Sequence, residues 1–377
     1  MTLAWRIDGT RDAPPLVLLN SIGTTTEMWT PVIGPLLEQF RVVRIDHRGH
    51  GESPASPPGS PGTLAYLAAD VLAVLDELGL DRVHLAGLSI GGMTGMWLAA
   101  HRPERVSRLA LLCTSAYLPP AQGWLDRAAT VRSDGMRVIA DASLTRWLTP
   151  QLAERDHELA QRLVDAICGV DAESYAQCCE AIATMDLRPD LARIAAPTLV
   201  IAGAQDPSTP PAHGEAIVSG VSDARLEVLD PAAHLATVEQ PGRIAALLAA
   251  HFRAGATLAR GYATRRAVLG DEHVDRAIAS ATAMTAPFQE FLTRYAWGDI
   301  WSRPELGRRE RSIATLAVLV ALGAEHELAM HVRAALRNGL TAEEIVDVLM
   351  HVALYAGLPR TNRAIAIARD VLDEPES

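Results

Sequence analysis

Short, continuously apolar runs alternate with longer amphipathic stretches over the first 115 residues of the chain. Runs of this kind are typical of strands buried on both faces of a sheet, whereas the stretches between them have helical periodicity. The runs lie at 16–20, 42–46, 83–88 and 108–115, and the helical stretches near 26–39, 63–79 and 91–102. This alternation predicts a mostly parallel sheet with helices on both faces.

A helical and more polar segment interrupts this order at about 118–190. Strand patterns then resume at 197–203 and 224–230, and a helical stretch follows at 239–253. Because the sheet pattern continues after the interruption, we interpret the inserted helices as a lid or cap domain.

No strand pattern recurs after about residue 257, where every stretch has helical periodicity. The expected breaks between these helices are Gly270, Pro287, Pro304, Gly339 and Pro359. A chain of 377 residues is long enough for two domains. We predict a first domain of residues 1–255, with its cap at 118–190, and an all-helical second domain of residues 256–377.

Composition and charge narrow the classes of protein that fit. The net charge of −11 argues against nucleic acid as a partner, although arginines can still cluster around a small anion. The longest apolar run, residues 313–324, is too short to span a bilayer, and the N-terminal residues lack a signal-peptide core. Four cysteines follow neither a disulfide pattern nor metal-ligand spacing. We therefore expect a cytoplasmic protein without membrane or nucleic-acid partners.

The segment "GLSIGG" places Ser89 where a predicted strand turns into a predicted helix. The spacing Gly87-x-Ser89-x-Gly91 is that of a nucleophile elbow, in which a strained turn holds the serine Oγ clear of the sheet. The alternative is a glycine-rich turn whose serine caps the helix.

Two further residues follow Ser89 in the order acid, then base. Asp206 and His234 each come directly after a predicted strand, so we expect both at the same edge of the sheet as Ser89. In this candidate triad His234 is the general base and Asp206 orients it. The amides of Ile90 and of Ile22, in the loop after the first buried strand, are the expected oxyanion-hole donors.

His47, Arg48 and His50 lie together in the loop "DHRGHGES", after the second predicted strand. Two histidines this close could be taken for metal ligands. We interpret them instead as scaffold residues of a tight loop, and we predict no metal site in the chain.

Five segments together resemble the 3-oxoadipate enol-lactonase group of α/β-hydrolases over residues 1–253. They are "NSIGTT", "DHRGHGES", "GLSIGG", "GAQDPSTP" and "AAHLATVEQP". The resemblance implies hydrolysis of a small anionic lactone, with no cofactor. Trp124 in the cap is then a candidate pocket wall. Arg127 and Arg132 are candidate partners of the substrate carboxylate, which a guanidinium can grip bidentately; the alternative for each is a solvated face of a cap helix.

Residues from about 258 to the end resemble 4-carboxymuconolactone decarboxylases, which share an AhpD-like helical fold. The landmarks are "RYAWG" at 294–298, "HVRAALRNG" at 331–339 and "HVALYAGLP" at 351–359. Related alkylhydroperoxidases use a Cys-x-x-Cys pair ahead of a histidine, but the matching positions before His331 hold Ala324 and Glu327. Without thiolates, this domain cannot carry out peroxidatic chemistry.

The histidines of "HELAMH" do not have the spacing of a zinc-binding pair. His326 and His331 are five residues apart, about 140° around a helix, so they point in different directions. Glu327 and His331 are four apart and share one helix face. The alternative for this pair is an ordinary surface ion pair.

The decarboxylase resemblance implies a substrate that provides its own electron sink. Loss of CO₂ leaves an electron pair conjugated to the lactone carbonyl, so no pyridoxal, thiamine or metal cofactor is needed. The reaction still needs a proton donor and cations near the developing charge. His331 is the first candidate acid, with Glu327 orienting it and Arg333 neutralising charge. Further candidates are Glu310, the arginines of "RRER" at 308–311, His351 and Tyr355.

The two resemblances concern consecutive reactions of protocatechuate breakdown in the β-ketoadipate pathway. They predict a bifunctional enzyme that decarboxylates 4-carboxymuconolactone to 3-oxoadipate enol-lactone and then hydrolyses this to 3-oxoadipate. One alternative is a general carboxylesterase with a C-terminal oligomerisation domain, and another is a non-enzymatic ligand receptor with a hydrolase fold. The apolar helices of the second domain also predict self-association through that domain.

Overall fold

A computed structural model describes residues 2–57 and 59–373, with side chains at all of these except 254–256. Its contacts divide the chain into two units, Met1–Arg253 and Ala254–Ser377. We refer to them as the first and the second unit. The division lies two residues before the boundary predicted from the sequence.

The first unit is built on a seven-stranded sheet with the order β1-β3-β2-β4-β5-β6-β7. All neighbouring strands are parallel except β1, which pairs antiparallel with β3 at one edge. The strands are β1 Trp5–Asp8, β2 Pro15–Leu19, β3 Arg41–Ile45, β4 Val83–Leu88, β5 Val106–Leu112, β6 Thr198–Gly203 and β7 Ala224–Leu229. The predicted mostly parallel sheet is confirmed, and β1 is the strand that the sequence pattern missed.

The central strands are buried because they are continuously apolar. Every residue of β4 and β6 is buried, as are four of the five residues of β2. The edge strand β1 is four residues long and half-buried, so it has neither the length nor the apolar run of its neighbours. A strand of this kind cannot be distinguished from a loop by hydrophobicity alone.

The helices of the first unit fall into those that connect the strands and those of the cap. The connecting helices are α1 Thr30–Leu37, α2 Leu64–Glu77 and α3 Ile90–His101. The cap, inserted between β5 and β6, contains α4 Ala121–Asp134, α5 Arg137–Trp147, α6 Pro150–Arg155, α7 His157–Cys168 and α8 Ala172–Thr184. After β6 follow α9 Pro211–Gly220, α10 Ala236–Glu239 and α11 Pro241–Leu269. The helical cap predicted at 118–190 is present.

Helix α11 continues well beyond residue 253, where the sequence analysis ended it. The segment 241–269 contains no proline after its first residue and is rich in alanine, leucine and arginine. These residues favour a helix and outweigh its three glycines. The division between the two units therefore falls within this helix.

The second unit is helical throughout its described part, as predicted. After α11 it contains α12 Asp271–Ala279, α13 Ala286–Leu292, a π-helix at Thr293–Ile300, α14 Arg308–Leu322, α15 Glu325–Arg337, α16 Ala342–Ala356 and α17 Leu358–Leu372. Its largest apolar cluster is formed by α14 to α17 and includes Leu316, Val332, Ile345 and Leu349. None of the described helices of either unit is long and apolar enough to cross a membrane.

Glycines allow the turn between β4 and α3 to approach the neighbouring backbone closely. A Cβ on Gly87 would lie 2.2 Å from the carbonyl oxygen of Gly91, and a Cβ on Gly91 would lie 2.5 Å from that of Leu19. Backbone atoms at such distances cannot move aside as a flexible side chain could. The turn thus requires glycine at both positions.

We predict that Gly87→Ala destabilises the first unit by about 3 kcal/mol, because overpacking a rigid backbone contact costs this much. Gly123→Ala is the matched control, since its Cβ would enter open space within α4. We expect the control to be neutral or slightly stabilising through helix propensity. Urea denaturation followed by circular dichroism measures both effects, and equal midpoints for the two variants would contradict the close-approach argument.

Candidate active site

Ser89 is held in a strained conformation at the turn between β4 and α3. Its φ is 56° and its ψ −119°, in a region that residues other than glycine rarely adopt. The Ser89 amide donates to the Leu112 carbonyl at 2.9 Å, and its own carbonyl accepts from the Thr114 hydroxyl at 2.7 Å. These bonds fix the turn from both sides and leave the side chain directed away from the sheet ladder.

Asp206 and His234 are hydrogen-bonded to each other and buried, in the loops after β6 and β7. Asp206 Oδ2 lies 2.8 Å from His234 Nδ1 and accepts the Thr209 hydroxyl at the same distance, while Oδ1 accepts the Ser208 amide at 2.8 Å. Burial favours the neutral acid, but His234 and these hydrogen bonds outweigh it and lower the pKa of Asp206 below its usual value. Asp206 therefore stays ionised. Because it bonds to Nδ1 of His234, the other ring nitrogen, Nε2, is not engaged by Asp206.

Ser89 and His234 line the same cavity between the sheet edge and the cap. The cavity and its opening to solvent together contain about 460 Å³ of empty space. Apart from these two residues, its lining includes Ile22, Met93, Leu118, Trp124, Arg127, Ser143, Arg146, Trp147 and Tyr175. A serine, a histidine and two arginines are thus presented to one small apolar chamber.

Two backbone amides close to Ser89, those of Ile22 and Ile90, lack an acceptor in the described part of the chain. Ile90 begins α3, so its N–H has no partner within the helix. Among the described residues, no acceptor contacts the N–H of Ile22 either. Buried amides without acceptors beside a serine are the donors that an oxyanion needs.

His47 and His50 support the loop that carries Ile22. His50 Nε2 accepts the Gly23 amide at 3.0 Å while its Nδ1 lies 2.8 Å from the Arg48 carbonyl, and His47 Nε2 lies 3.0 Å from the Asn20 carbonyl. Burial, with the neighbouring His47, lowers the pKa of His50 to about 3, so it stays neutral. Among the described residues, no three His, Cys, Asp or Glu side chains are arranged to hold a metal ion.

The cap arginines occupy three different environments. Arg127 lines the cavity and donates to the Tyr175 hydroxyl at 2.9 Å and to Ser143 Oγ at 2.7 Å, both neutral partners. Arg146 also lines the cavity, and no acidic group of the described chain pairs with it. Arg132 instead lies outside the cavity, where it bridges Glu173 at 2.7 Å and Glu180 at 2.6 Å.

In the second unit, His331 lies half-buried on α15 beside Glu327 and His273. Burial lowers the pKa of His331 below its usual value, the charge of Glu327 partly offsets this, and His273 adds to the lowering. Ala334 on α15 belongs to an apolar cluster with Trp297, and Met330, next to His331, packs against this cluster. His331 thus lies at the margin of an apolar cluster, with one acid and one further histidine near it.

Other candidates in the second unit have different surroundings. Arg309 forms a bidentate pair with Glu344, and Arg311 donates to the carbonyls of Arg303 and Leu306. The exposed rings of His351 and Tyr355 lie 5.3 Å apart, and Glu310 and Arg333 are exposed. Structural contacts therefore engage two of the arginines in "RRER", and the role of Arg333 stays a prediction.

Comparisons with known proteins agree with this division into two units. The alpha/beta hydrolase fold family matches residues 14–164, and the Carboxymuconolactone decarboxylase family matches residues 286–370. The 3-oxoadipate enol-lactonase 2 of Acinetobacter baylyi is 42% identical over 233 residues, covering 62% of this chain and 86% of that protein. The 4-carboxymuconolactone decarboxylase of the same organism is 45% identical over 115 residues, covering 30% of this chain and 86% of that protein.

The chain belongs to both families. A solved structure agrees for the first unit: the enol-lactonase of Burkholderia xenovorans LB400 is 40% identical, with a TM-score of 0.65, and the match covers 67% of this chain and 96% of that one. The predicted fusion of an α/β-hydrolase with a helical decarboxylase is confirmed. We call the two parts the hydrolase unit and the decarboxylase unit.

One predicted residue of the hydrolase unit requires correction. Arg132 does not face the cavity, because its guanidinium is saturated by two glutamates on the outside of the cap. Arg146 takes its place in the cavity lining and was missed by the sequence analysis. A helical periodicity analysis of the cap could have suggested it, since Arg146 is followed by the buried Trp147 on α5, but no motif singles it out.

The lowered pKa of His331 gives a pH prediction for the decarboxylase unit. If His331 is the proton donor, it must be protonated, so kcat/KM for decarboxylation should fall as pH rises through a pKa below about 6.5. His331→Ala should remove this inflection and slow decarboxylation roughly a hundredfold. His351→Ala, at an exposed ring, is the matched control. A flat profile between pH 5 and 8, or an unchanged inflection in His331→Ala, would remove His331 from the mechanism.

Proposed function

We propose that this chain catalyses two consecutive reactions. The decarboxylase unit converts 4-carboxymuconolactone to 3-oxoadipate enol-lactone, and the hydrolase unit opens this lactone to 3-oxoadipate. The observation that carries the proposal is the joining in one chain of relatives that act, by their names, on successive compounds. The cavity with Ser89, His234 and two arginines supports the second reaction.

Hydrolysis begins with attack of Ser89 Oγ on the lactone carbonyl carbon, while His234 takes the serine proton. The carbonyl oxygen becomes negative, and the amides of Ile22 and Ile90 stabilise it. The ring C–O bond then breaks, the departing oxygen takes the proton held by His234, and the resulting enol tautomerises to the ketone. Water, activated by His234, releases the acyl group as a carboxylate and regenerates Ser89. Asp206 stabilises the imidazolium in both steps.

Decarboxylation needs no external electron acceptor. The bond between the ring carbon and its carboxylate breaks, CO₂ departs, and the electron pair extends through the ring double bond onto the lactone carbonyl oxygen. A proton then adds to the carbon next to that carbonyl, which gives the enol-lactone. We assign this proton to His331, with Glu327 favouring its charged form.

Arg146 is the cation that we assign to the carboxylate of the enol-lactone. It reaches the cavity without an acidic partner in the described chain, whereas Arg127 is already oriented by two neutral hydroxyls. Arg127 contributes a second positive charge to the same chamber. An apolar cavity with two cations and no carboxylate in its lining favours an anionic substrate over a neutral ester.

We further propose that the decarboxylase unit self-associates. Large apolar side chains are exposed at regular helical spacing on α14, α16 and the start of α17, which we call the apolar stripe. Its members are Val318, Leu322, Val346, Met350, Leu354 and Leu358, with exposures up to 79%. A monomer rarely exposes so continuous an apolar face, so a second copy of this unit is its expected partner.

We expect the protein in the cytoplasm, because its cysteines are all free thiols.

The two reactions can be separated by removing the nucleophile. Ser89→Ala should release CO₂ from carboxymuconolactone at the wild-type rate while enol-lactone accumulates, since the serine takes part only in ring opening. Hydrolysis should fall by more than about a thousandfold. NMR of the reaction mixture measures both products. If Ser89→Ala still forms 3-oxoadipate at more than a thousandth of the normal rate, Ser89 is not the nucleophile.

The charge assignment predicts a KM effect for Arg146→Gln. We expect KM for the enol-lactone to rise roughly tenfold or more with little change in kcat, because a contact to a remote carboxylate stabilises substrate and transition state alike. Hydrolysis of a neutral ester such as phenyl acetate should be unaffected. Arg132→Gln, which removes an arginine outside the cavity, is the control. Equal KM changes in the two variants would refute the assignment.

The apolar stripe predicts the outcome of a charge substitution. Leu354→Glu should shift the wild-type oligomer toward monomer in analytical ultracentrifugation at micromolar concentration, because Leu354 is 79% exposed and a charge there cannot be buried in an interface. Leu125→Glu, on an exposed cap position of the hydrolase unit, is the control. A wild-type chain that sediments as a monomer would contradict the proposal.

A further inference from the structure

A buried arginine in the decarboxylase unit lacks an acidic partner. Arg265, on α11, is only 5% exposed. Its Nη1 donates to Gln289 Oε1 and to Thr293 Oγ1, each at 3.1 Å, so two neutral acceptors fix the guanidinium plane. Burying a charge without a counter-charge is unfavourable, and such groups usually have a function that explains them.

One edge of this guanidinium has no hydrogen-bond partner among the described residues. Nε is buried with no hydrogen-bond partner, and no acceptor among the described residues contacts Nη2. The Nε–Nη2 edge presents two parallel N–H groups, which is the geometry that binds the two oxygens of a carboxylate. The neighbouring Arg266 differs, because it pairs with Asp271 and Asp275 at the surface.

Arg265 interacts electrostatically with His273, as do Arg337 and Arg276, the last of which is also paired with Glu272. The charges of Arg265, Arg276 and Arg337 all oppose protonation of His273, and burial is the larger cause of its lowered pKa. His273 in turn interacts with His331. The electrostatic contacts therefore connect the buried Arg265, through a half-buried histidine, with the candidate proton donor.

A second buried donor lies on the π-helix, at Trp297. The indole Nε1 of Trp297 is buried without an acceptor, and its ring packs against Val268 and Leu269. Trp297 belongs to the π-helix that also provides Thr293, and π-helical turns often occur at functional sites. The helices around Arg265 thus contain two buried donors without acceptors, and an anion could accept from a donor of this kind.

We infer that Arg265 binds a carboxylate of the decarboxylase substrate side-on, through Nε and Nη2. This inference rests on the proposed function of the unit. The substrate carries two carboxylates, one lost as CO₂ and one retained on the carboxymethyl group. Binding the departing carboxylate would stabilise the ground state and slow the reaction, since its charge moves into the ring. Arg265 therefore holds the retained carboxylate.

Kinetics in a Ser89→Ala background test this assignment, because there CO₂ release reports decarboxylation alone. Arg265→Gln should raise KM for carboxymuconolactone roughly thirtyfold or more, as expected for the loss of one partner of a buried charge pair, with a smaller change in kcat. Arg265→Lys keeps the positive charge but loses the two parallel N–H donors at Nε and Nη2, so its KM should lie between those of the wild type and of Arg265→Gln. Arg266→Gln is the control and should leave KM unchanged.

A modified substrate distinguishes direct binding by Arg265 from a structural role, because only direct binding makes the KM effects of the substrate change and of the Arg265 substitution overlap. Methyl esterification of the retained carboxylate should raise KM for the wild-type site as much as Arg265→Gln does, and should add little in that variant. Additive penalties, or a loss confined to kcat, would overturn the assignment. Should Arg265→Gln fail to fold, the same comparison with Arg265→Lys decides it.

A binding measurement distinguishes this inference from the proposed function. Succinate is a dicarboxylate probe that needs no turnover, and it should slow hydrogen exchange at residues 257–300 of the wild type and of Arg266→Gln, but not of Arg265→Gln. If the wild type does not decarboxylate the lactone yet shows this pattern, the proposed function fails and the anion site stands. Equal protection in Arg265→Gln would refute the anion site, whatever the activity.

Discussion

The positive φ of Ser89 is the constraint on which the hydrolase site depends. A serine takes this conformation only when its surroundings impose it, and here the imposing contacts are backbone to backbone, through Gly87 and Gly91. The same turn starts α3, and so leaves the Ile90 amide without an intrahelical acceptor beside the serine. One strained residue thereby accounts for both the proposed nucleophile and half of the proposed oxyanion hole, and β6 and β7 need only bring Asp206 and His234 to the same edge.

Local charge, and not the overall charge of −11, determines which ligands the two units favour. In the hydrolase unit, Arg127 and Arg146 face an apolar cavity without a carboxylate in its lining. In the decarboxylase unit, Arg265 is buried with neutral partners only. Many other arginines in the described part of the chain pair with acids at the surface, such as Arg188 and Arg266, and such pairs contribute little to stability. An arginine that lacks such a partner is therefore more informative about the substrate than the total charge is.

Several features could be predicted from sequence because they are local. The strand–turn–helix glycines identify Ser89, and the strands before Asp206 and His234 place both at the carboxyl edge of a parallel sheet. The cap arginines could not be assigned in this way, since the direction of Arg132 and Arg146 depends on how α4 and α5 pack. Arg265 belongs to no motif. Only the structure shows that Gln289 and Thr293 both accept from Nη1, and that Nε is buried without a partner. The half-buried edge strand β1 had too weak a pattern to detect.

The central claim is that one chain performs both reactions in order. The most direct test is a ¹³C NMR time course of the full-length wild-type protein with carboxymuconolactone labelled at the departing carboxylate and at the lactone carbonyl. We predict that labelled CO₂ and enol-lactone appear together, that the enol-lactone then declines, and that 3-oxoadipate finally equals the CO₂ released. Formation of 3-oxoadipate without CO₂, release of CO₂ with no subsequent ring opening, or an unchanged substrate would contradict the account.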